Sequence, residues 1–175
     1  MAKGLGGGFQ PIGATLGGKK VVDAVEQGSG HLKHGFTYMG HSVACAASLE
    51  VFRIVKEQNL LEAVQVRGAQ LRDELQRTLG DHPNVGDIRG RGLFIGVELV
   101  ADTETKEAFN PAVKLHARIR DAAFKNGLLI YPNGGTVDGS RGDHVLFAPA
   151  YTVSASEISE IVLRFRKSLD LAINQ

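Results

Sequence analysis

An α/β fold, with a small sheet covered by helices, follows from three features of this 175-residue sequence. Leu71, Leu75 and Leu79 recur every four residues and put one apolar stripe on a helix. LLIYPNG and HVLFAPAY are apolar runs of strand length, bounded by Gly and Pro. Helical and strand-like patterns then alternate from residue 60 to the end, as they do when helices cover a sheet.

Taken in order, Pro11–Leu16 reads as a short strand between glycines, and KKVVDAVEQG as a short helix stopping at Gly28. SGHLKHGFTYMGH is a polar loop. SVACAASLEVFRIVKEQNLL is rich in alanine and opens at Ser42, a suitable N-cap, so a long and largely buried helix is expected there. EAVQVRGAQLRDELQRTLGDHPN is an amphipathic helix ended by Gly80. VGDIRGRGLFIGVELV reads as a strand pair or one bent strand, with Gly92 and Gly96 inside it. NPAVKLHARIRDAAFKNG is a helix, with Pro111 near its start and Gly127 just past its end. The two short strands follow. A last helix runs from about Ser154 to Ile173, capped by Ser154 or Ser156. Residues 1–55 and 56–175 are the expected domains, with the boundary inside the helix near Val51–Asn59.

The net charge of +1 offers no broad basic field for nucleic acid. No apolar run approaches the roughly 20 residues that span a bilayer. Glycines occupy the place of a signal peptide's apolar core. A single cysteine, Cys45, permits no intrachain disulfide and suits a reducing compartment. A soluble cytoplasmic protein is the expectation. Glycine, at 22 residues, is nearly double the usual share of about 7%.

Two phosphate motifs come close and fail. GATLGGKK has Lys20 where a P-loop needs Ser or Thr for magnesium, and GLGGGF has Phe9 in place of the third glycine of a dinucleotide fingerprint. His31, His34 and His41 share a loop but lack metal-ligand spacing or an acidic partner, so no metal is expected. Lys3 is the more promising group. It stands directly before Gly4 and the run Gly6–Gly8, where little steric bulk surrounds its amine. Desolvation there would ease loss of the amine's proton and make it a nucleophile toward carbonyls; the plain alternative is a solvated terminal lysine.

AKGLGGGFQPIGATL resembles the segment that carries the Schiff-base lysine of class III (omega-amino acid type) pyridoxal-phosphate-dependent aminotransferases. HGFTYMGHSVACAASL is similar to that family's H-G-x-T-Y loop and small-residue helix. DIRGRGLFIGVEL resembles its R-G-x-G-L strand, and GLLIYPNG and VLFAPAYTVSASEI its closing strands and last helix. The four motifs occur in register over essentially the whole chain.

The resemblance implies the C-terminal portion of a fold-type I PLP-dependent transferase: the end of the large cofactor domain plus the small α/β C-terminal domain. It implies that Lys3 binds pyridoxal 5'-phosphate covalently and acts as the catalytic base and acid. Thr37 would hold the cofactor phosphate of a neighbouring subunit, which implies a homodimer. The reaction implied is transamination between an omega-amino acid or amine and a keto acid such as pyruvate. Leu146 stands where ornithine- and 4-aminobutyrate-type members keep a carboxylate-binding arginine. Arg141 lies near the place of the mobile arginine of amine- and beta-alanine:pyruvate members and is the candidate for a substrate carboxylate; its alternative is a solvated loop arginine. Arg89 and Arg91 fall on a strand that is mainly structural in the family. Members run to more than twice this length, and their phosphate loop, ring-stacking aromatic and ring-pairing Asp lie upstream of the lysine. A fragment inactive by itself is therefore expected. The alternative is a catalytically dead dimerisation or docking module derived from an aminotransferase.

Overall fold

The computed structural model describes residues 1–174, which divide into two compact units, 1–59 and 60–174.

The first unit is built on few contacts. A 3-10 turn, Lys3–Gly6, is followed by extended chain and then by helix α1 (Lys19–Gln27) and helix α2 (Ser42–Glu57). Pro11–Leu16 is not a strand. Its proline lacks an N–H, and its one bonded pairing is local: Met1 and Ala14 exchange bonds of 2.7 and 2.8 Å. The helix at 42 is opened by His41, not by Ser42: Nδ1 of His41 accepts from the Ala44 N–H at 3.3 Å. It ends at Glu57, and Asn59, at φ +50°, breaks the chain before the next helix. Nor is it largely buried, since only Ala44 and Ser48 are. Alanine-rich sequence makes a helix with small side chains, and small side chains alone do not bury it. Ser48 has a positional use, because its hydroxyl donates to the Leu5 carbonyl at 2.7 Å and fastens the glycine turn to α2.

The second unit contains helix α3 (Leu60–Leu79), strands β1 (Val85–Arg91) and β2 (Phe94–Leu99), and a 3-10 turn at Pro111–Val113. Helix α4 (Leu115–Lys125), strands β3 (Tyr131–Gly134) and β4 (Asp143–Phe147), and helix α5 (Ala155–Ile173) follow. The sheet order is β1-β2-β4-β3, antiparallel throughout. The doubtful segment at 85–100 is thus a strand pair, with Gly92 (φ +55°) in the turn between β1 and β2.

Strand alternation puts Ile95, Val97, Leu99, Val145 and Phe147 on one face. The α3 stripe of Leu71, Leu75 and Leu79, with Ile119 of α4 and Ile158, Phe165 and Leu169 of α5, closes over that face. Phe147 and Phe165 meet edge to face at 4.9 Å. Ser154 caps α5 with a reciprocal box: Glu157 N–H donates to its hydroxyl, and its own N–H donates to the Glu157 carboxylate. The helix expected at 110–127 is split, because Lys114 adopts φ +51° between the proline turn and α4.

Candidate active site

Lys3 opens the 3-10 turn with φ +55°, a left-handed conformation that costs a non-glycine residue about 1–2 kcal/mol. Such strain persists where surrounding structure enforces it, and it concentrates at functional sites. Here the turn is held by Leu5 N–H to Ala2 carbonyl (3.2 Å), Gly7 N–H to Gly4 carbonyl (3.1 Å) and the Ser48 hydroxyl on Leu5. Gly7, at φ +57°, lies so close to α2 that a Cβ there would sit 2.9 Å from Val51 Cγ2. At Gly4 and Gly8 an added Cβ would meet nothing within 4 Å, so the turn presents an open glycine surface. The Lys3 amine is exposed and forms no hydrogen bond or ion pair among the described residues. Residues 1–174 do not build the apolar enclosure that would desolvate it.

Thr37 sits in the turn 37–40, closed by the Met39 N–H on the Phe36 carbonyl (3.0 Å) and the His41 N–H on the Tyr38 carbonyl (3.1 Å). Its neighbours Phe36 and Tyr38, with Pro11, Ile12, Met39 and Cys45, line a concavity of about 610 Å³ within the first unit. Neither Thr37 nor Lys3 lines that space. Of the loop histidines, His41 is spent on capping α2, and His31 Nδ1 lies 3.0 Å from the Ser29 carbonyl. Lys19, from the failed P-loop, pairs with Asp23 at 2.8 Å on the outside of α1.

Arg141 belongs to the second unit, in the loop that joins β3 to β4. Its Nε donates to Asp138 Oδ2 at 2.8 Å. Arg89 is committed to the sheet: Nη1 bonds Asp87 at 2.7 Å and Glu98 at 2.5 Å, and these carboxylates raise its pKa. That pairing agrees with a structural role.

Two features escaped the sequence. Asp138 organises the Arg141 loop. Asp143, almost fully buried, accepts at Oδ1 from the His116 N–H (3.1 Å) and lies 2.6 Å from His116 Nδ1, tying β4 to the start of α4. Asp143 follows Arg141 by two residues in RGDH, so proximity to a candidate was the one available signal; the partner, 27 residues upstream, gave none.

The residues fit an aldehyde-bearing, phosphate-bearing cofactor in their donor set: an unpaired amine on a constrained turn, open glycines beside it, and an exposed threonine hydroxyl. Known proteins resemble the chain over nearly its whole length. The family model for class-III aminotransferases matches residues 1–169. An aminotransferase of Gibberella zeae is 46% identical over 174 residues, which are 99% of this chain and 34% of that protein. The putrescine–pyruvate aminotransferase of Pseudomonas aeruginosa is 35% identical over 170 residues, covering 97% of this chain and 35% of the relative. A solved amine transaminase from an uncultivated Pseudomonas species, in its PLP-bound form, superposes with a TM-score of 0.81 at 35% identity. It is matched over 99% of this chain and 37% of its own. The chain spans about a third of the length of the curated relatives it matches.

Proposed function

The chain belongs to the class-III aminotransferase family, and from that premise we propose that the whole protein moves an amino group from an omega-amino acid or amine to a keto acid such as pyruvate, with pyridoxal 5'-phosphate as cofactor. The observation that carries the reading is Lys3, a strained residue with an unpaired amine at the head of a glycine turn. When bound, the cofactor supplies an electrophilic aldehyde carbon and a ring that accepts electron density from the substrate.

Three of the chain's own residues share the work. The Lys3 amine, once deprotonated, is the nucleophile that holds the cofactor. Its Nζ would take the proton from the substrate Cα and hold it for redelivery, acting first as base and then as acid. The Thr37 hydroxyl would donate a hydrogen bond to the phosphate in a partner's site, a role that calls for a homodimer. Arg141 pairs bidentately with a substrate carboxylate. Leu146 presents no cation on β4, which supports an amine or omega-amino acid with pyruvate over a glutamate/2-oxoglutarate pair. The putrescine–pyruvate relative supports the same choice. Among the described residues no helix is long and apolar enough to cross a membrane. A cytoplasmic setting is part of the proposal, supported by the single free Cys45.

The 175-residue chain is proposed to capture the cofactor without turning over. The test is a visible absorbance spectrum with pyridoxal phosphate, before and after borohydride reduction, followed by peptide mapping. A borohydride-sensitive band with the reduced adduct on Lys3 supports the reading. Adducts scattered over surface lysines would sink Lys3 as the anchor within this chain. A second reading, a catalytically dead module that docks or dimerises, is favoured by the exposure of Phe9, Leu16, Phe36 and Tyr38 in the first unit. It predicts self-association without any adduct on Lys3.

A further inference from the structure

The loop from Gly135 to Gly142 folds back on itself. The Val137 N–H bonds the Arg141 carbonyl and the Gly139 N–H bonds the Gly135 carbonyl, both at 2.9 Å. Gly135, Gly139 and Gly142 have φ of +82°, +88° and +93°, so three of its positions favour glycine. Asp138 is its organiser. Oδ1 accepts from the Ser140 N–H at 3.0 Å and the Arg141 N–H at 2.8 Å, and Oδ2 accepts from Arg141 Nε at 2.8 Å. The Arg141 amide, the Arg141 side chain and the Ser140 amide together hold the Asp138 carboxyl at about 2, so it is charged throughout the physiological range. The same hydrogen bond raises the Arg141 pKa, with Glu107 adding a smaller attraction. The grip is one-sided. Arg141 is 61% exposed, and Nη1 and Nη2 form no bond among the described residues.

We propose that Asp138 is a positioning residue for Arg141, a latch that parks the guanidinium in the loop by its Nε until a carboxylate-bearing substrate draws it away. A donor without a carboxylate leaves the pair closed. The proposal rests on the reading of Arg141 as the carboxylate-binding residue. Its physical basis is a competition between two anions for one fork of donors. An exposed ion pair of this kind is weak, so opening it handicaps a carboxylate ligand only slightly. A bidentate carboxylate makes two parallel charge-assisted bonds where Asp138 makes one, so the ligand wins. The latch thus tunes preference between carboxylate-bearing and apolar substrates without abolishing either.

Asp138→Asn separates charge from structure, because the amide oxygen still accepts from the Ser140 and Arg141 N–H groups. The experiment records arginine side-chain NMR spectra of the 175-residue chain. Arg141→Lys identifies the Arg141 Nε–Hε signal by its disappearance. In Asp138→Asn this hydrogen exchanges faster with water than in the native chain. Titration with sodium propionate at constant ionic strength then shifts the signal at a concentration about two- to five-fold lower than in the native chain, the range expected for losing an exposed pair. Propionamide, which is uncharged, shifts it in neither, and Asp138→Glu restores the native midpoint. An Hε exchange rate unchanged by Asp138→Asn, or equal propionate midpoints in the two chains, overturns the latch. A changed exchange rate with no propionate response in either chain overturns the Arg141 reading instead, and the latch falls with it.

Discussion

Gly68→Ala is the sharpest test of how the second unit is held together. Gly68 lies three residues before Leu71 on the buried stripe of α3, where a Cβ would stand 2.3 Å from the Gly92 carbonyl carbon, 2.4 Å from its oxygen and 2.6 Å from its Cα. The obstacle is backbone, so no side-chain rotation relieves it. To restore ordinary contact at 3.4 Å, helix and turn must separate by about 1.1 Å. That turn leads directly into Leu93 and Ile95, which are 3% and 0% exposed, so the shift propagates into the core. Overpacking of this kind costs typically about 1–3 kcal/mol, and a backbone clash belongs at the top of that range. Alanine regains about 1 kcal/mol of helix propensity. The net loss is about 2 kcal/mol, which at a urea dependence of roughly 1–2 kcal/mol per molar lowers the unfolding midpoint by about 1–2 M. Urea denaturation followed by far-UV circular dichroism measures it. A midpoint equal to or above that of the native chain refutes the close approach, because it is the outcome that helix propensity alone would give.

Three further substitutions probe the network around the candidate residues. Asp143→Ala leaves the His116 N–H and ring without their acceptor, and the urea midpoint should register a loss of about 2–3 kcal/mol. Asp170→Ala removes the partner of the buried His82 ring, 3.1 Å away, for a loss of about 1 kcal/mol once the exposure of Asp170 is discounted. Burial alone would raise the Asp170 carboxyl, but hydrogen bonds from Arg166 and His82 outweigh it and leave the pKa lowered. The contribution is therefore complete above the unfolded value of about 3.9 and is lost as pH falls through the lower folded value; denaturation at pH 7 and pH 3 should show the gap narrowing. Ser48→Ala releases the Lys3 turn from α2, and the yield of reduced cofactor on Lys3 should fall about five-fold relative to surface lysines, the worth of one hydrogen bond. An undiminished yield there would mean that α2 does not hold the turn.

What the sequence disclosed depended on the range of the signal. Leu71, Leu75 and Leu79, Gly80 after them, and Ser154 three residues before Glu157 are local patterns whose physics is local, and each stands where expected. Lys114 does not advertise that it leaves the helix: lysine is a good helix former, and its left-handed backbone joins the proline turn to α4. Alanine-rich α2 is mostly exposed although its composition suggests burial, because composition reports the size of a surface, not what covers it. Residue type and the glycine run point to Lys3, and the family resemblance points to Thr37 and Arg141. Nothing local points to Asp138 or the Asp143–His116 pair, because a carboxylate in a glycine loop has no signature until the loop closes. The Asp143 partner arrives only when β4 meets α4.

The two units differ in how far each supports itself, and this bears on the proposed chemistry. Residues 60–174 carry nearly the whole buried core, with Leu71, Leu75, Leu79, Ile95, Ile119, Ile158, Phe165 and Leu169 among the fully enclosed side chains. Residues 1–59 bury only Gly6, Ala44 and Ser48, while Phe9, Leu16, Phe36 and Tyr38 remain 68–80% exposed. Segments with few buried apolar contacts open locally at low free-energy cost. Limited proteolysis of the chain should accordingly remove residues within 1–59 first and leave a resistant product beginning near Leu60. Pyridoxal phosphate, if Lys3 captures it on the ordered turn, should slow the first cut and leave the later ones unchanged, since a ligand protects only the segment it orders. Equal cleavage rates in both units would contradict the unequal cores. Protection of the second unit alone would remove Lys3 from the chemistry and turn attention to lysines beyond residue 59.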